Sequence, residues 1–244
     1  MTGNGNNYKP DYSVLKQWPV SLWEWPRIAI YVPWPSALPN AADVNPGFIE
    51  IARHGTMFMH LPYGFTDRMR NEAAKQFLLS DYTHLLMLDS DHVHPPDIVQ
   101  KLAKHVIEDP ERLIIGGINF KRAAPYSPCA WVYSDKNKDK IYRVHEWEAG
   151  LIEVARLGSG CWMIAREAFE RTSFPWFVNE PQMENEQLGS HDNYFCKLAI
   201  KEGIKIYCDF NVSSPHMGRH RVTEQTYRTF CEVNPIPQEE LIDA

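Results

Sequence analysis

The sequence lacks the features that mark secreted scaffolds and membrane proteins. Its 244 residues contain five cysteines and no CxxC pair, so a disulfide scaffold is not expected and the thiols are predicted to be reduced. No uninterrupted apolar run approaches the roughly 20 residues needed to span a bilayer. The first ten residues are rich in Gly and Asn and lack the apolar core of a signal peptide. We therefore expect a cytoplasmic protein with no transmembrane segment.

The sequence also has no large excess of either charge. Asp and Glu number 31 against 25 Lys and Arg, which gives a formal net charge of −6. This argues against a surface built for non-specific nucleic-acid binding, although a local basic groove remains compatible with it. Apolar residues make up 44% and charged residues 23%, values close to a globular average that argue against global disorder, collagen and coiled coil.

The order of apolar and polar segments predicts one domain with an N-terminal arm. Residues 1–26 are polar and then rich in Trp and Pro, which is typical of an arm, and residues 27–244 are expected to form a single domain with a C-terminal tail. Strands are predicted at residues 27–32, 56–61, 84–88, 113–118, 151–155, 161–165 and 204–209, and helices at 67–79, 95–108, 166–171 and 192–202. This alternation predicts an α/β fold with a mostly parallel central sheet and helices on both faces. Such sheets bind ligands at the carboxyl ends of their strands.

The strongest motif is LLMLDSD at residues 85–91. An apolar strand there ends in Asp89 and Asp91, which are two residues apart and so point the same way. Two carboxylates at this spacing repel each other unless a cation lies between or beside them. Hard divalent cations prefer carboxylate oxygens, often completed by phosphate oxygens. The motif alone therefore fits either a strand end with two solvated Asp residues or Mg²⁺ or Mn²⁺ bridging a diphosphate.

Two classes of enzyme use such a DxD strand. One is the sugar-nucleotide transferases, and the other is the phosphohydrolases of the haloacid dehalogenase type, in which the first Asp is a nucleophile. The second class places this strand very early and carries a late acidic pair. Here the motif lies a third of the way along the chain and no Asp-Asp pair occurs, which disfavours the phosphohydrolase.

Further motifs follow in a recognisable order. They are Arg70-Asn71, LLMLDSD, the GSG of residues 158–160 before CWMIARE, His191-Asp192 and His216. In this order, over about residues 27–220, the chain resembles glycosyltransferases of the GT-A fold, the nucleotide-diphospho-sugar transferase-like architecture. It is most similar to family 2-type enzymes, including small bacterial and phage members. The resemblance implies metal-dependent transfer of a sugar from a nucleoside diphosphate sugar, with a UDP-sugar favoured, to a hydroxyl acceptor. The transfer inverts the anomeric centre if Asp192 is the base, whereas some enzymes of related fold retain it.

The resemblance also implies a metal site. Asp89 and Asp91 match the metal and the ribose and diphosphate ligands, with Asp91 the stronger metal candidate, and His216 matches the third ligand. An imidazole suits Mn²⁺ better than Mg²⁺, which prefers oxygen ligands. His92 and His94 lie near the motif, but a histidine beside a metal loop is more often solvent-facing or a hydrogen-bonding partner, so we expect that role for both.

The resemblance further implies donor contacts and a catalytic base. The expected donor-binding residues are Pro33, Arg68, Arg70, Asn71, Asp89, Ser90, Asp91, Gly158, Ser159 and Gly160. Asp192 opens an amphipathic helix, whose dipole favours a carboxylate there by a few tenths to about 1 kcal/mol. It matches the position of the base that deprotonates the acceptor hydroxyl, while His191 replaces the usual acidic neighbour. A helix-capping Asp, an exposed Arg and an ordinary tight turn are the structural alternatives at these positions.

Two other functions stay open. A sugar nucleotidyltransferase of similar fold usually carries a Gly-rich, basic loop after the first strand, whereas this chain has PWPSALPN there. A non-catalytic nucleotide-sugar or carbohydrate-binding module is the other alternative. The basic clusters at Lys121-Arg122 and residues 219–221 would neutralise a diphosphate, attract an anionic acceptor, or simply form part of the surface. A glycan and a modified DNA base both remain acceptor candidates.

Overall fold

The computed structural model describes residues 26–33, 51, 57–61, 65–136, 140–180, 189–218, 220–234 and 242–243. Apart from residue 26, the predicted N-terminal arm lies outside the described residues, as does the loop that follows the first strand. Within the described ranges, no helix combines the length and the apolar character that a bilayer-spanning helix requires.

Strands and helices alternate along the chain. In order they are β1 (Ile28–Pro33), β2 (Met57–Leu61), α1 (Thr66–Leu78), β3 (His84–Leu88), α2 (Ile98–Glu108), β4 (Ile114–Ile118), β5 (Ala130–Tyr133), β6 (Lys140–Arg143), β7 (Leu151–Val154), β8 (Arg156–Leu157), β9 (Cys161–Ala165), α3 (Arg166–Arg171), α4 (His191–Lys201), β10 (Ile206–Ser213), β11 (His216–Met217), β12 (Arg221–Val222), α5 (Glu224–Val233) and β13 (Ile242–Asp243). Most predicted elements are confirmed to within one residue. The exceptions are α2, which begins three residues later than predicted, and β10, which starts later and continues to residue 213.

Seven strands form the central sheet in the order β2-β1-β3-β9-β4-β10-β7. β1 pairs in parallel with β2 and β3, and β4 pairs in parallel with β10. β9 runs antiparallel between β3 and β4, and β7 runs antiparallel at the edge. The prediction of a mostly parallel sheet is therefore confirmed. A smaller sheet, β13-β6-β5-β8, and the β11-β12 hairpin accompany it.

Alternate residues of the central strands pack into two separate cores. Tyr31 and Met87 belong to the core that α1, α3 and α4 cover. The neighbouring Ile30 and Leu86 belong to the other core, which α2 covers. Because both faces are buried, these strands are continuously apolar rather than alternating with polar residues. The predicted helices on both faces are confirmed.

The topology brings three loops to one edge of the sheet. Because β3, β4 and β10 run in the same direction, the segments that follow them, residues 89–92, 119–122 and 214–216, meet at their carboxyl ends. Backbone hydrogen bonds join the first loop to the third. Val93 N donates to Pro215 O at 2.9 Å, and Met217 N donates to Asp91 O at 2.8 Å. The sequence motifs after β3 and β10 therefore form one connected surface.

We predict that Gly116→Ala destabilises this sheet. A Cβ atom at Gly116 would lie 2.5 Å from the carbonyl oxygen of Cys161 and 2.8 Å from Cδ1 of Trp162, so β4 and β9 would be forced apart. Overpacking of this kind costs about 1–3 kcal/mol. Urea denaturation should show that loss in the free energy of unfolding, whereas the exposed Glu170→Ala change on α3 should leave it nearly unchanged. Equal stabilities of the two variants would contradict the close approach of these strands.

Candidate functional site

The first carboxylate of the DxD motif pairs with a buried arginine. Arg70 lies on α1 with no exposed surface, and its Nη2 forms an ion pair with Oδ1 of Asp89. The same nitrogen donates to the carbonyl oxygen of Ser159 at 3.3 Å. A buried guanidinium requires such an anionic partner, because an unpaired charge in the interior is strongly destabilising. The helix before the motif, the motif itself and the GSG loop thus meet at Arg70.

The second carboxylate belongs to a cluster with two imidazoles. Asp91 Oδ1 lies 3.0 Å from His92 Nδ1, and Asp91 Oδ2 lies 3.2 Å from His216 Nε2. The two rings stack with their centroids 4.2 Å apart. One ligand atom from each of the three residues lies within 4.8 Å of the others, close enough to share a metal ion.

The chemistry of the cluster fits a bound cation. Burial opposes the ionisation of Asp91, whereas its contacts with His216 and His92 favour it, and the net result is a pKa well below the usual range for this carboxyl. Nδ1 of His216 lies 2.9 Å from the carbonyl oxygen of Phe120. If Nδ1 donates there, Nε2 is left free to bind a metal, which is the arrangement usual for metal-binding histidines. One carboxylate with two imidazoles favours a transition metal such as Mn²⁺ over Mg²⁺.

The cluster differs in one member from the predicted metal ligands. The structure brings Asp91 and His216 together as predicted, but the third member is His92, and Asp89 faces Arg70 instead. His92 is 4% exposed and therefore does not face solvent. It does have the expected hydrogen-bonding partner, which is Asp91. His94 is buried as well and contacts the carbonyl oxygen of Asp89 at 2.9 Å. Its burial, followed by the charge on His92, lowers its pKa to about 3.

Arg122, from the loop after β4, completes the cluster. Its Nη2 forms an ion pair with Oδ2 of Asp91 and lies 3.0 Å from Nε2 of His216. The sequence marked Arg122 only as part of a basic cluster that would bind a diphosphate, attract an anionic acceptor or form part of the surface. The signal that identifies His92 is its place one residue after the DxD motif, and no local signal identifies the partners of Arg122.

Asp192 lies in the first turn of α4 beside the GSG loop. The backbone N–H of Ser159 donates to its Oδ2 at 3.4 Å. The Asn193 backbone N–H donates to Oδ1 at 2.9 Å, and the Ser190 hydroxyl also donates to Oδ1. Nε2 of His191 lies 3.4 Å from the Ser159 hydroxyl, and burial, followed by the charge on Arg70, lowers the pKa of His191. The predicted base therefore has a fixed orientation.

The two glycines of the GSG loop leave room for neighbouring side chains. A Cβ atom at Gly158 would lie 2.8 Å from Oδ1 of Asn119, and one at Gly160 would lie 2.4 Å from Nδ2 of Asn119 and 2.9 Å from Nε2 of His92. Asn119 Nδ2 in turn donates to the carbonyl oxygen of Gly158 at 3.3 Å. The absence of side chains thus lets the loop pack against Asn119 and the candidate metal cluster of Asp91, His92 and His216.

The remaining predicted donor residues differ in their surroundings. Pro33 is buried at the end of β1, Ser90 is buried between the two Asp residues, and Arg68 is exposed on α1.

The side-chain amide of Asn71 forms hydrogen bonds to other parts of the protein. Nδ2 donates to the carbonyl oxygen of Phe177 at 2.6 Å, and Oδ1 accepts from the backbone N–H groups of Trp176 and Phe177 at 3.0 and 3.2 Å. Asn71 therefore fastens residues 176–177 to α1.

Loss of the Asn71 amide should destabilise the fold. Asn71→Ala removes these hydrogen bonds and a further one to the carbonyl oxygen of Asp67 at 2.9 Å. Each such bond contributes a net 0.5–1.5 kcal/mol, so we expect a loss of about 2 kcal/mol or more in urea denaturation. Gln76→Ala, on the exposed side of the same helix, is the control. Unchanged stability together with weaker nucleotide-sugar binding would instead assign Asn71 to the donor.

Comparisons with known proteins establish the fold and leave the family unassigned. No protein-family model and no curated protein matches the chain. The crystal structure of A197 from STIV is 20% identical over 79% of this chain and 86% of that chain, with a TM-score of 0.55. UDP-glucose pyrophosphorylase complexed with UDP-glucose is 9% identical over 85% and 98%, with a TM-score of 0.45. A glycosyltransferase involved in the glycosylation of the major capsid of PBCV-1 is 14% identical over 75% and 93%, with a TM-score of 0.39.

The similarity to A197 agrees with the strand order. Both support the predicted α/β class, a mostly parallel central sheet covered by helices. At 20% identity a structural likeness carries the fold alone, because one fold hosts many reactions and function depends on the site. The function must therefore be argued from the side chains at the carboxyl ends of the strands.

Proposed function

We propose that the protein is a metal-dependent glycosyltransferase that has the GT-A fold and is similar to family 2 glycosyltransferases. It would move a sugar from a nucleoside diphosphate sugar, preferably a UDP-sugar, to a hydroxyl acceptor. The observation that carries this proposal is the convergence of Asp91, His92 and His216 at the carboxyl ends of parallel strands. Open α/β sheets bind their ligands at this edge.

The metal cluster would hold the donor diphosphate. Asp91, His92 and His216 would bind Mn²⁺ in preference to Mg²⁺, and the ion supplies positive charge that stabilises the departing diphosphate. Arg70, which is fully buried, keeps Asp89 in place beside this site through its ion pair. Asp89 then faces the donor with one oxygen already paired, which suits a hydrogen bond to a ribose hydroxyl better than a second metal ligand.

Asp192 would act as the base. A carboxylate has about four lone-pair sites, and the groups of Ser159, Ser190 and Asn193 occupy three of them. One site is thus left to accept the proton of an acceptor hydroxyl. A hydroxyl activated in this way attacks the sugar from the side opposite the departing diphosphate, so the anomeric configuration would be inverted.

We expect nucleotide sugars to stabilise the protein only when Mn²⁺ is present. Ligand at one hundred times its dissociation constant stabilises the folded state by about 2.7 kcal/mol, so a thermal-shift panel of UDP-, GDP-, dTDP- and CDP-sugars with and without Mn²⁺ should single out the donor. Asp91→Asn should abolish the Mn²⁺-dependent shift. Asp81→Asn makes the same change before β3, where the side chain is 83% exposed, and should leave the shift intact. A shift that is independent of both Mn²⁺ and Asp91 would contradict the proposed site.

We expect Asp192→Asn to slow the reaction without weakening donor binding. General-base catalysis contributes about 10²–10⁴-fold, so slow hydrolysis of the donor, in which water replaces the acceptor, should fall by that factor. Asp81→Asn again serves as the control, and NMR of the released sugar should show the inverted anomer. Full activity in Asp192→Asn would exclude its role as base.

The reaction products distinguish the proposed glycosyltransferase from the two alternative functions. A glycosyltransferase releases nucleoside diphosphate, whereas a sugar nucleotidyltransferase releases pyrophosphate from a nucleoside triphosphate and a sugar phosphate. Binding of the donor without any turnover would favour a non-catalytic module. A glycan and a modified DNA base are both retained as proposed acceptors.

A further inference from the structure

The guanidinium of Arg122 contacts two of the three proposed metal ligands. Its Nη2 forms an ion pair with Oδ2 of Asp91. Nη2 and Nε lie 3.0 and 3.2 Å from Nε2 of His216. A planar guanidinium with its donors fixed in a fork is suited to such a two-point contact. Arg122 therefore engages the same carboxylate oxygen and the same imidazole nitrogen that a metal ion would need.

The contacts of Arg122 fall on the atoms that a cation would use. An arginine side chain only donates hydrogen bonds, so it offers positive charge to Oδ2 of Asp91 while it faces Nε2 of His216. Oδ2 of Asp91 and Nε2 of His216 lie 3.2 Å apart, so one cation can contact both atoms at once. Arg122 supplies positive charge there, as a divalent ion would.

The surroundings of Arg122 allow it to move. Its side chain is 54% exposed, in contrast to Arg70, which has no exposed surface. The stem of Arg122 passes over Gly218, where an added Cβ atom would lie 2.9 Å from its Cγ. Because the guanidinium is already half-exposed, exchanging Asp91 and His216 for another partner requires little further desolvation. Phosphate oxygens accept hydrogen bonds from a guanidinium in the same bidentate manner as a carboxylate does.

We propose that Arg122 is an internal cation that competes with the metal ion for Asp91 and His216, and that the diphosphate of the donor relieves this competition by binding Arg122. This inference rests on the proposed function and adds to it a coupling between two ligands. Because coupling between sites is reciprocal, the ion would bind weakly to the free protein and more tightly when a nucleoside diphosphate is present. The nucleoside diphosphate would in turn bind more tightly when the ion is present.

Manganese binding to the whole chain tests this proposal directly. Free Mn²⁺ is measured by electron paramagnetic resonance during titration of the wild type, Arg122→Gln and Lys121→Gln, each with and without UDP. Without UDP, we expect Arg122→Gln to bind Mn²⁺ about tenfold more tightly than the wild type, within the usual range of coupling between sites. The matched control, Lys121→Gln, removes a neighbouring positive charge and should change the affinity far less. UDP should tighten Mn²⁺ binding in the wild type more than in Arg122→Gln.

A second measurement separates competition from a purely structural role. If Arg122 and the ion replace each other, Mn²⁺ should raise the melting temperature of Arg122→Gln more than that of the wild type. Equal Mn²⁺ affinity in the wild type and Arg122→Gln would overturn the competition while leaving the proposed metal-dependent function intact. Failure of all three proteins to bind Mn²⁺, even with UDP, would overturn both proposals.

Discussion

The arrangement of the site depends on the need of two aspartates for positive charge. Asp89 and Asp91 follow β3 in a turn at one edge of the sheet, where Asp89 faces Arg70 and Asp91 faces Arg122. The protein divides the task between two arginines. Asp89 receives a guanidinium with no exposed surface, whereas Asp91 receives one that is 54% exposed. The first pair is built into the core, and the second is open to exchange with a ligand.

This division gives the two halves of the DxD motif different uses. Breaking the buried pair would leave an uncompensated charge in the interior, at a cost of about 3–5 kcal/mol, so Asp89 is held in one position. The pair at Asp91 lies nearer to water, where an ion pair contributes about 0–1 kcal/mol. In the proposed exchange, a metal ion that arrives with a diphosphate would therefore displace Arg122 from Asp91 at small cost, and the guanidinium would then gain the phosphate as its partner.

The reversed strand β9 connects this cation site to the proposed base. Since β9 is antiparallel to β3 and β4, it begins where they end, and the GSG loop before it lies at the same edge as the DxD loop. Asp89 N donates to Gly160 O at 3.0 Å, which fixes the two loops to each other.

The pattern of apolar residues predicted the position of β9 but not its direction, because direction depends on the connection and not on the composition of the strand. The contact between Arg122 and His216 could not be predicted from local sequence patterns either, because 94 positions separate the two residues. Asp91, by contrast, stood out because it follows a clear apolar strand, and His216 was indicated by the order of motifs in the family resemblance.

One residue of the GSG loop connects the proposed donor side of the site to its proposed acceptor side. The carbonyl oxygen of Ser159 accepts from Arg70, and its backbone N–H donates to Asp192. The ion-paired Asp89 and the proposed base are thus joined through the backbone of a single residue and not through flexible side chains alone. A misplacement of 1 Å can cost about 10²-fold in rate, so the proposed base, which would have to reach a hydroxyl near the sugar, would benefit from this short, rigid link. The same link explains why Gly158 and Gly160 matter although they carry no functional group, since Asn119 and His92 occupy the space that their side chains would take and thereby hold the Ser159 backbone in place.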